Sequence, residues 1–201
     1  KVISVIGFLF LILSPRIFAE SFYNNKDIIF LSLYLMAFYF ALKFFTQRQN
    51  KFLILFSFFV ALSINIRVLG LLSVVLLFLF LFLDGLNSKE LMKKNTLDIT
   101  KCFFLTSLFT YLMWPFLWGD PLDSLIYTFK SMSSYNWKGL VFFLGDYHEG
   151  KNIPWNYTII LFIITTPLLI VFLFFIGILF CAKDLINNFI NIDKHKDSNL
   201  W

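Results

Sequence analysis

Long runs of apolar residues, separated by short polar stretches, dominate this chain. The runs are Val2 to Leu13, Ile28 to Phe45, Phe52 to Leu83, Cys102 to Trp118 and Asn156 to Cys181. A membrane-spanning helix needs roughly 20 apolar residues to cross a hydrocarbon core of about 30 Å. The pattern therefore predicts several membrane-spanning α-helices, the first of them incomplete.

The third run is too long for one helix. As a single helix, Phe52 to Leu83 would extend about 48 Å, well beyond the hydrocarbon core. Arg67 lies near its middle, where a charge costs roughly 2.5–3.5 kcal/mol on insertion scales, and Gly70 follows within one turn. We therefore predict a break at Arg67 that divides the run into two helices.

The distribution of basic residues predicts the orientation. With the break at Arg67, eleven Lys and Arg residues lie on one side of the membrane and six on the other, and the richer side is the cytoplasmic one. We predict an all-α, polytopic transmembrane bundle of about six helices with both termini in the cytoplasm. Residues 1–181 form the transmembrane domain, and residues 182–201 form a cytoplasmic polar tail.

Composition agrees with this class of protein. The chain has 201 residues, of which 59% are hydrophobic and 14% charged, and its mean hydropathy is +0.79. A soluble core of this size could not bury so much apolar surface. The net charge of +5 reflects membrane orientation and predicts no nucleic-acid partner.

The predicted external face carries the informative chemistry. It holds a charged loop from Pro15 to Asp27, Arg67 at the break, and a long segment from Gly119 to Trp155. Asp120-Pro121 is a typical helix start, and apolar residues then recur at helical spacing. The long external loop is therefore predicted to carry a short amphipathic helix lying in the membrane interface.

His148 is the candidate metal ligand of this face. It lies beside Asp146 and Glu149, and imidazole with carboxylates suits a divalent cation or acid–base chemistry near neutral pH. A solvated loop is the simpler account of the same residues, because the spacing of metal ligands is permissive. A divalent cation is the one cofactor that the sequence leaves open.

Four segments together resemble a known family. They are SPRIFAESFYNNKDI, NIRVLG, WPFLWGDP and YHEGKNIPWNY, the last followed by an apolar run that contains TTP. In this order around the spans, they are similar to the polytopic glycosyltransferases of the C-type fold, which include protein O-mannosyltransferases and lipid A aminoarabinose transferases. The resemblance extends from Ser14 to about Gly177.

The resemblance implies transfer of a sugar from a polyprenyl-phosphate carrier to a glycan, lipid or protein acceptor. The reaction would take place on the non-cytoplasmic side of a bacterial-type inner or plasma membrane. In the family the main acidic residue lies in a first external loop, which this chain is expected to lack. Asp27 matches the second acidic position, with an accessory role. Arg16, Lys26 and Arg67 would bind the carrier phosphate, and His148 would be a metal contact.

Two other classes compete with this interpretation. A transporter or flippase of lipid-linked sugars would also place charges near the bilayer, but it should show internal symmetry and broken helices. The sequence indicates neither feature. A noncatalytic membrane subunit is the second alternative, and the expected absence of the first loop favours it.

Overall fold

The fold is an assembly of α-helices with one short β-hairpin. The computed structural model describes residues 2–134, 139–150 and 152–197. The α-helices of this part of the chain are α1 (Val2–Ile12), α2 (Pro15–Tyr23), α3 (Asn25–Gln47), α4 (Asn50–Ile66), α5 (Leu71–Gly85), α6 (Lys89–Met113), α7 (Pro121–Ser133), α8 (Tyr157–Thr165) and α9 (Leu168–Asp197). The hairpin consists of β1 (Leu140–Phe143) and β2 (Asp146–Glu149).

The chain divides into two compact units. One unit comprises Glu20–Tyr135, and the other comprises Lys1–Ala19 together with Asn136–Trp201. The first unit contains α3 to α7, and the second contains α1, the hairpin, α8 and α9.

Every predicted span is helical, and the all-α polytopic fold is confirmed. Within the described residues, two helices are long and apolar enough to cross a membrane, Asn25–Gln47 and Val68–Gly85. The number rises to four if each of two bent pairs, α1 with α2 and α8 with α9, is one span. Helix α4 is apolar but only 17 residues long.

The predicted break at Arg67 is present. Helix α4 ends at Ile66, Arg67 adopts an extended backbone, and a 3₁₀ turn over Val68–Gly70 leads into α5. The Arg67 N–H donates to the Ser63 carbonyl (2.8 Å) and ends α4, and the Gly70 N–H donates to the Arg67 carbonyl (2.9 Å) and closes the turn. A Cβ on Gly70 would lie 2.8 Å from the backbone nitrogen of Ile64. The close approach of the turn to α4 therefore requires glycine.

The core of the first unit lies between α3, α4, α5 and α6. Its buried side chains are those of Ala37, Phe44, Leu53, Phe56, Val60, Ile64, Val74, Leu77, Leu81 and Cys102. Helix α3 packs mainly on α4, and α4 and α5 pack on α6. Many other apolar side chains of these helices are exposed, as expected of surfaces that face lipid.

A polar cluster joins the end of α3 to α5 and α6. The Arg48 guanidinium donates to Asn95 Oδ1 (2.8 Å) and to Asp84 Oδ2 (2.6 Å), and Asp98 lies 4.0 Å away. The fully buried Asn95 amide donates to the Leu81 carbonyl and to Asp84. We call Arg48, Asp84, Asn95 and Asp98 the Arg48 cluster. The sequence had indicated only short polar connections at this end.

Three expectations about local structure need correction. The charged stretch predicted as a loop from Pro15 to Asp27 is helical, because Pro15 opens α2 and Asn24 separates α2 from α3. The segment around His148 is a hairpin, whose turn places Leu144 and Gly145 at positive φ. Broken helices also occur: α1 and α2 meet at 57°, and α8 and α9 at 114°. A proline lies at each break and cannot donate the backbone hydrogen bond of a continuous helix.

Helix α7 appears where the sequence predicts it. Asp120 takes the position before the first turn and Pro121 the first helical position, although the Asp120 side chain makes no capping hydrogen bond. The Ser124 N–H instead bonds the Asp120 carbonyl (2.9 Å), and the Ser124 hydroxyl donates to the Phe116 carbonyl (3.0 Å). These bonds hold the start of α7 against the turn that follows α6.

Candidate functional site

Asp27 lies in the first turn of α3, with its carboxylate held on one side by the helix cap. Asn24 precedes the helix and accepts a hydrogen bond from the Asp27 N–H (3.3 Å). The Asn24 amide in turn donates to Asp27 Oδ2 (2.6 Å). A carboxylate at this position also gains from the positive end of the helix dipole. The local sequence thus fixes the orientation of Asp27.

Arg67 meets the other oxygen of this carboxylate. Its Nη2 forms an ion pair with Asp27 Oδ1, which joins the start of α3 to the break between α4 and α5. Arg67 has an extended backbone and ends α4. Two predicted site residues, 40 positions apart in the sequence, are therefore in direct contact.

The side chains of this pair are partly exposed, although the Asp27 Oδ1 atom itself is buried. The side chains of Asp27 and Arg67 are 42% and 47% exposed. Ion pairs with this exposure contribute roughly 0.2–1 kcal/mol, because solvent screens the charges. An anionic ligand that competes for the Arg67 guanidinium would therefore have a small pair energy to overcome.

An apolar cavity is lined by residues on either side of Arg67 in the sequence, Ile64 and Val68. It has a volume of about 590 Å³ and is lined by Val68 and by side chains of α5, α6 and α7. The polar groups in its wall are few, and Thr106, Thr110 and Thr128 are among them. Volume and lining are typical of a pocket for an apolar small molecule or a segment of hydrocarbon chain.

Polar atoms without partners lie at this cavity and beside Arg67. Among the described residues, the Thr110 hydroxyl lines the cavity but makes no hydrogen bond. The amide nitrogen and oxygen of Asn65, two positions before Arg67, are also buried without a partner. Unpaired buried polar groups in a native structure need an explanation, such as a bound ligand or water.

Among the described residues, the other predicted site residues, Arg16, Lys26 and His148, make no hydrogen bond or ion pair with Asp27 or Arg67. Lys26 precedes Asp27 in the first turn of α3, and its side chain is exposed. Arg16 lies in the first turn of α2 and donates from Nη1 to the Thr165 hydroxyl (2.9 Å). Arg16 and His148 belong to the second unit, and Asp27 and Arg67 to the first.

His148 lies on β2 opposite Val141, with its ring 6.3 Å from the Phe143 ring. Asp146 and Glu149 lie on the same strand. Across the ranges that the structure describes, no group of three His, Cys, Asp or Glu side chains is arranged to hold a metal ion. The hypothesis of a metal contact at His148 therefore receives no geometric support.

Sequence reasoning missed Asn24 and the cavity. Asn24 stands three residues before Asp27 at the start of an apolar run, which is the typical signature of a helix cap. That signal was available in the sequence. The cavity was not predictable, because it depends on how α5, α6 and α7 pack together.

Comparison with known proteins identifies the family. No curated protein and no solved structure matches the chain. The model of the dolichyl-phosphate-mannose-protein mannosyltransferase family matches residues 1–114, which is more than half of the chain and includes Asp27 and Arg67. The apolar helices agree with an integral membrane protein. The chain therefore belongs to the dolichyl-phosphate-mannose-protein mannosyltransferase family of membrane glycosyltransferases.

Proposed function

We infer that this protein transfers a sugar from a polyprenyl-phosphate carrier to an acceptor group at the external membrane face. The acceptor is a hydroxyl or amine-bearing glycan, lipid or protein. The observation that carries this proposal is the partly exposed Asp27–Arg67 pair at two helix ends, with an apolar cavity lined by Ile64 and Val68 on either side of Arg67 in the sequence. A lipid-linked sugar phosphate needs these two environments next to each other.

The donor phosphate is proposed to bind Arg67. A guanidinium offers two parallel N–H donors to phosphate oxygens and remains charged at all physiological pH values. It would stabilise the negative charge that grows on the phosphate as the bond to the anomeric carbon breaks. Lys26, on the first turn of α3 next to Asp27, supplies a second cation. The cavity beyond Val68 would hold part of the polyprenyl chain.

Asp27 is proposed to act on the acceptor. When the phosphate takes Arg67, Asp27 Oδ1 loses its cationic partner and can accept a hydrogen bond from the attacking hydroxyl. Asn24 continues to hold Oδ2 (2.6 Å), so the carboxylate keeps its orientation during this exchange. Asp27 thus orients the acceptor hydroxyl in the transition state.

The location of the site follows from the charge distribution. Asp27 and Arg67 lie at the membrane side with fewer basic residues, which we propose to be the non-cytoplasmic side of a bacterial-type inner or plasma membrane. The Arg48 cluster lies at the opposite end of α3. Acceptors on the external side would then reach Asp27 without crossing the bilayer.

A flippase of lipid-linked sugars is the second candidate function. The two bent helix pairs, α1 with α2 and α8 with α9, supply the broken helices that such proteins use near their substrates. Family membership favours the transferase. A noncatalytic subunit would keep the fold and bind no donor.

The test is sugar transfer in proteoliposomes. The natural protein that carries this sequence is reconstituted with a radiolabelled polyprenyl-phosphate sugar and an extracted acceptor pool, and Asp27→Asn and Arg67→Ala are compared with the wild type. We expect transfer to fall at least tenfold in both variants. Glu90→Gln, which removes a carboxylate from the first turn of α6, and Lys101→Ala, which removes a cation from the Asp98 ion pair, serve as controls.

The outcomes separate the candidates. Normal transfer by both site variants would refute the proposed roles of Asp27 and Arg67. Movement of the lipid-linked sugar across the bilayer without transfer would support the flippase. If the wild type neither transfers the sugar nor moves the lipid-linked sugar across the bilayer, the noncatalytic subunit is the remaining candidate.

A further inference from the structure

A groove on the surface of the first unit lies between α4 and α6. It has a volume of about 270 Å³, and its lining residues are Asn50, Leu53, Ile54, Lys101, Phe104 and Leu105. We call it the α4–α6 groove. Asn50 begins α4 shortly after the carboxyl end of α3, whereas Asp27 lies at the amino end of α3. The groove and the proposed donor site are therefore at opposite ends of α3.

The α4–α6 groove has one polar and one apolar end. The first turns of α4 share this groove with the middle of α6, while Ile64 at the end of α4 shares the apolar cavity with Thr110 near the end of α6. The two helices therefore run in the same direction. On each helix the polar lining residue, Asn50 or Lys101, precedes the apolar lining residues by about one turn. Both polar residues thus lie at the same end of the groove.

This change of polarity lies at the edge of the predicted hydrocarbon core. Residues 48–51 are all polar or charged, and the rest of α4, from Phe52 to Ile66, contains no charged residue. In α6, charged residues recur up to Lys101, and none follows before the helix ends at Met113. Phospholipid headgroups lie at this edge of a bilayer, and the acyl chains lie beyond it. The groove therefore crosses the level at which a phospholipid changes from headgroup to acyl chain.

Lys101 is the cation at the polar end. Its side chain is 51% exposed, and its Nζ lies 3.7 Å from Asp98 Oδ1. Because that distance is too long for a hydrogen bond, the N–H donors of the ammonium group remain available within the described part of the chain. Asp98 also lies 4.0 Å from Arg48 and is thus shared between two cations. Lys101 therefore keeps the capacity to bind a second anion.

Three further features complete the groove. The Asn50 amide offers two N–H donors. Asn50 is also the first residue of α4, whose preceding residue Gln49 makes no side-chain capping bond, and the amino end of a helix carries about half a positive charge. At the apolar end, Ile54 and Phe104 are 44% and 65% exposed. Positive charge and N–H donors at one end, with exposed apolar side chains at the other, match a phosphate group attached to an acyl chain.

We propose that the α4–α6 groove binds an anionic phospholipid. Its phosphate accepts hydrogen bonds from Lys101 and Asn50, and part of one acyl chain lies along Ile54 and Phe104. All lipid-facing surfaces contact acyl chains, but the positive charge at this groove selects a lipid with a net negative charge over a zwitterionic one. The site is separate from the proposed donor site, and the proposal does not rest on sugar transfer.

Native mass spectrometry of the purified full chain measures the lipid that it retains. The protein is titrated with phosphatidylglycerol, with phosphatidylcholine of the same acyl chains, and with glycerophosphoglycerol, which is the headgroup without chains. The variants are Lys101→Gln, Lys101→Arg and the control Lys51→Gln. Lys51 lies in the first turn of α4, but its Nζ lies over the Phe52 ring (4.9 Å to the centroid) and it does not line the groove. Only species with the folded charge distribution are counted, so unfolded variants cannot imitate a loss of binding.

We expect Lys101→Gln to weaken binding of phosphatidylglycerol about fivefold and to leave binding of phosphatidylcholine nearly unchanged. Lys101→Arg keeps the charge and should bind phosphatidylglycerol better than Lys101→Gln. The wild type should prefer phosphatidylglycerol to both other compounds. Equal binding of phosphatidylglycerol by Lys101→Gln and Lys51→Gln would overturn the proposal. Equal affinity of the wild type for phosphatidylglycerol and either phosphatidylcholine or glycerophosphoglycerol would also overturn it.

The outcome is independent of the proposed transferase activity. The titrations involve no sugar donor, and the transfer assay uses Lys101→Ala only as a control, since the groove takes no part in transfer. If transfer falls in Asp27→Asn and Arg67→Ala while Lys101→Gln binds lipid like Lys51→Gln, the donor site stands and the lipid site is refuted. If Lys101→Gln loses phosphatidylglycerol while transfer is normal in Asp27→Asn and Arg67→Ala, the lipid site stands without the proposed donor site.

Discussion

At the scale of single residues, Arg67 combines two roles that usually belong to different positions. Its extended backbone ends α4, and its side chain supplies the cation opposite Asp27. The residue at the break is therefore also the one that supplies the guanidinium. Substitutions that disturb the break should consequently affect the ion pair even when they leave Arg67 itself unchanged.

Gly70→Ala tests this dependence. The added methyl group would lie 2.8 Å from the Ile64 nitrogen and 3.0 Å from the Ser63 side chain, so the 3₁₀ turn must move. We expect a loss of roughly 1–3 kcal/mol in the free energy of unfolding, a typical cost of overpacking, and a fall in donor binding. Both are measured in detergent, the first by chemical denaturation and the second by lipid titration.

Gly119→Ala is the matched control, because nothing lies within 4 Å of its Cβ position. It should change stability by less than about 0.5 kcal/mol. Equal effects of the two substitutions would contradict the close approach at Gly70.

Asn24→Ala tests the cap that orients Asp27. The substitution removes the hydrogen bond from the Asp27 N–H and the bond to Oδ2. We expect a loss of about 1 kcal/mol in stability and a larger fall in kcat than in KM for sugar transfer. Gln49→Ala is the control, since Gln49 precedes α4 without a side-chain capping bond. If kcat were unchanged in Asn24→Ala, the cap would have only a structural role.

At the scale of helices, the apolar pattern and the residues that begin or interrupt helices were sufficient to predict most elements. The pattern placed a helix in each apolar run and, with Arg67 and Gly70, divided the third run correctly. The start of α7 followed from Asp120-Pro121. These successes depend on local periodicity and on residues that begin or interrupt helices.

Other elements depended on contacts that a local pattern does not contain. Arg48 and Asn95 were both ordinary polar residues in the sequence, and only packing brings them together. Asp27 and Arg67 were predicted as site residues with the help of the family resemblance. The ion pair between them was not predicted. The sequence did not predict the hairpin, because Leu144-Gly145 is an unusual turn sequence, with a leucine at positive φ.

Arg48→Ala tests how strongly the cluster joins α3 to α5 and α6. The substitution removes the cation between Asp84 and Asp98 and leaves Asn95 Oδ1, in a buried side chain, without its donor. We expect a loss of roughly 2–4 kcal/mol, because partly buried carboxylates lose their partner. Thermal unfolding in detergent measures it. Lys93→Ala, on the exposed face of α6, should have little effect; a similar loss there would argue against a specific cluster.

At the scale of the whole molecule, the orientation in the membrane is the property that connects structure with function. The predicted topology places the connection between α5 and α6 in the cytoplasm and α7 outside. It rests on counting basic residues, and helix geometry is the same in either orientation. The sequence therefore remains the source of this prediction.

Cysteine labelling in intact cells tests the topology. Cys102 and Cys181 are replaced by alanine, and a single cysteine is introduced by Asn87→Cys or Asp123→Cys at exposed positions. A membrane-impermeant maleimide should label Asp123→Cys directly and Asn87→Cys only after permeabilisation. The opposite pattern would reverse the proposed orientation and place Asp27 and Arg67 on the cytoplasmic side.

The Arg48 cluster gives the helix bundle unequal stiffness along its length. Helix α3 is about 35 Å long, with four interconnected polar side chains at its carboxyl end and one half-exposed ion pair at its amino end. Thermal motion should therefore be smaller at the carboxyl end of α3 and larger at its amino end. The helices would then separate at the amino end of α3 while the Arg48 cluster holds them together at the other end. A long lipid could enter sideways from the bilayer without unfolding any helix.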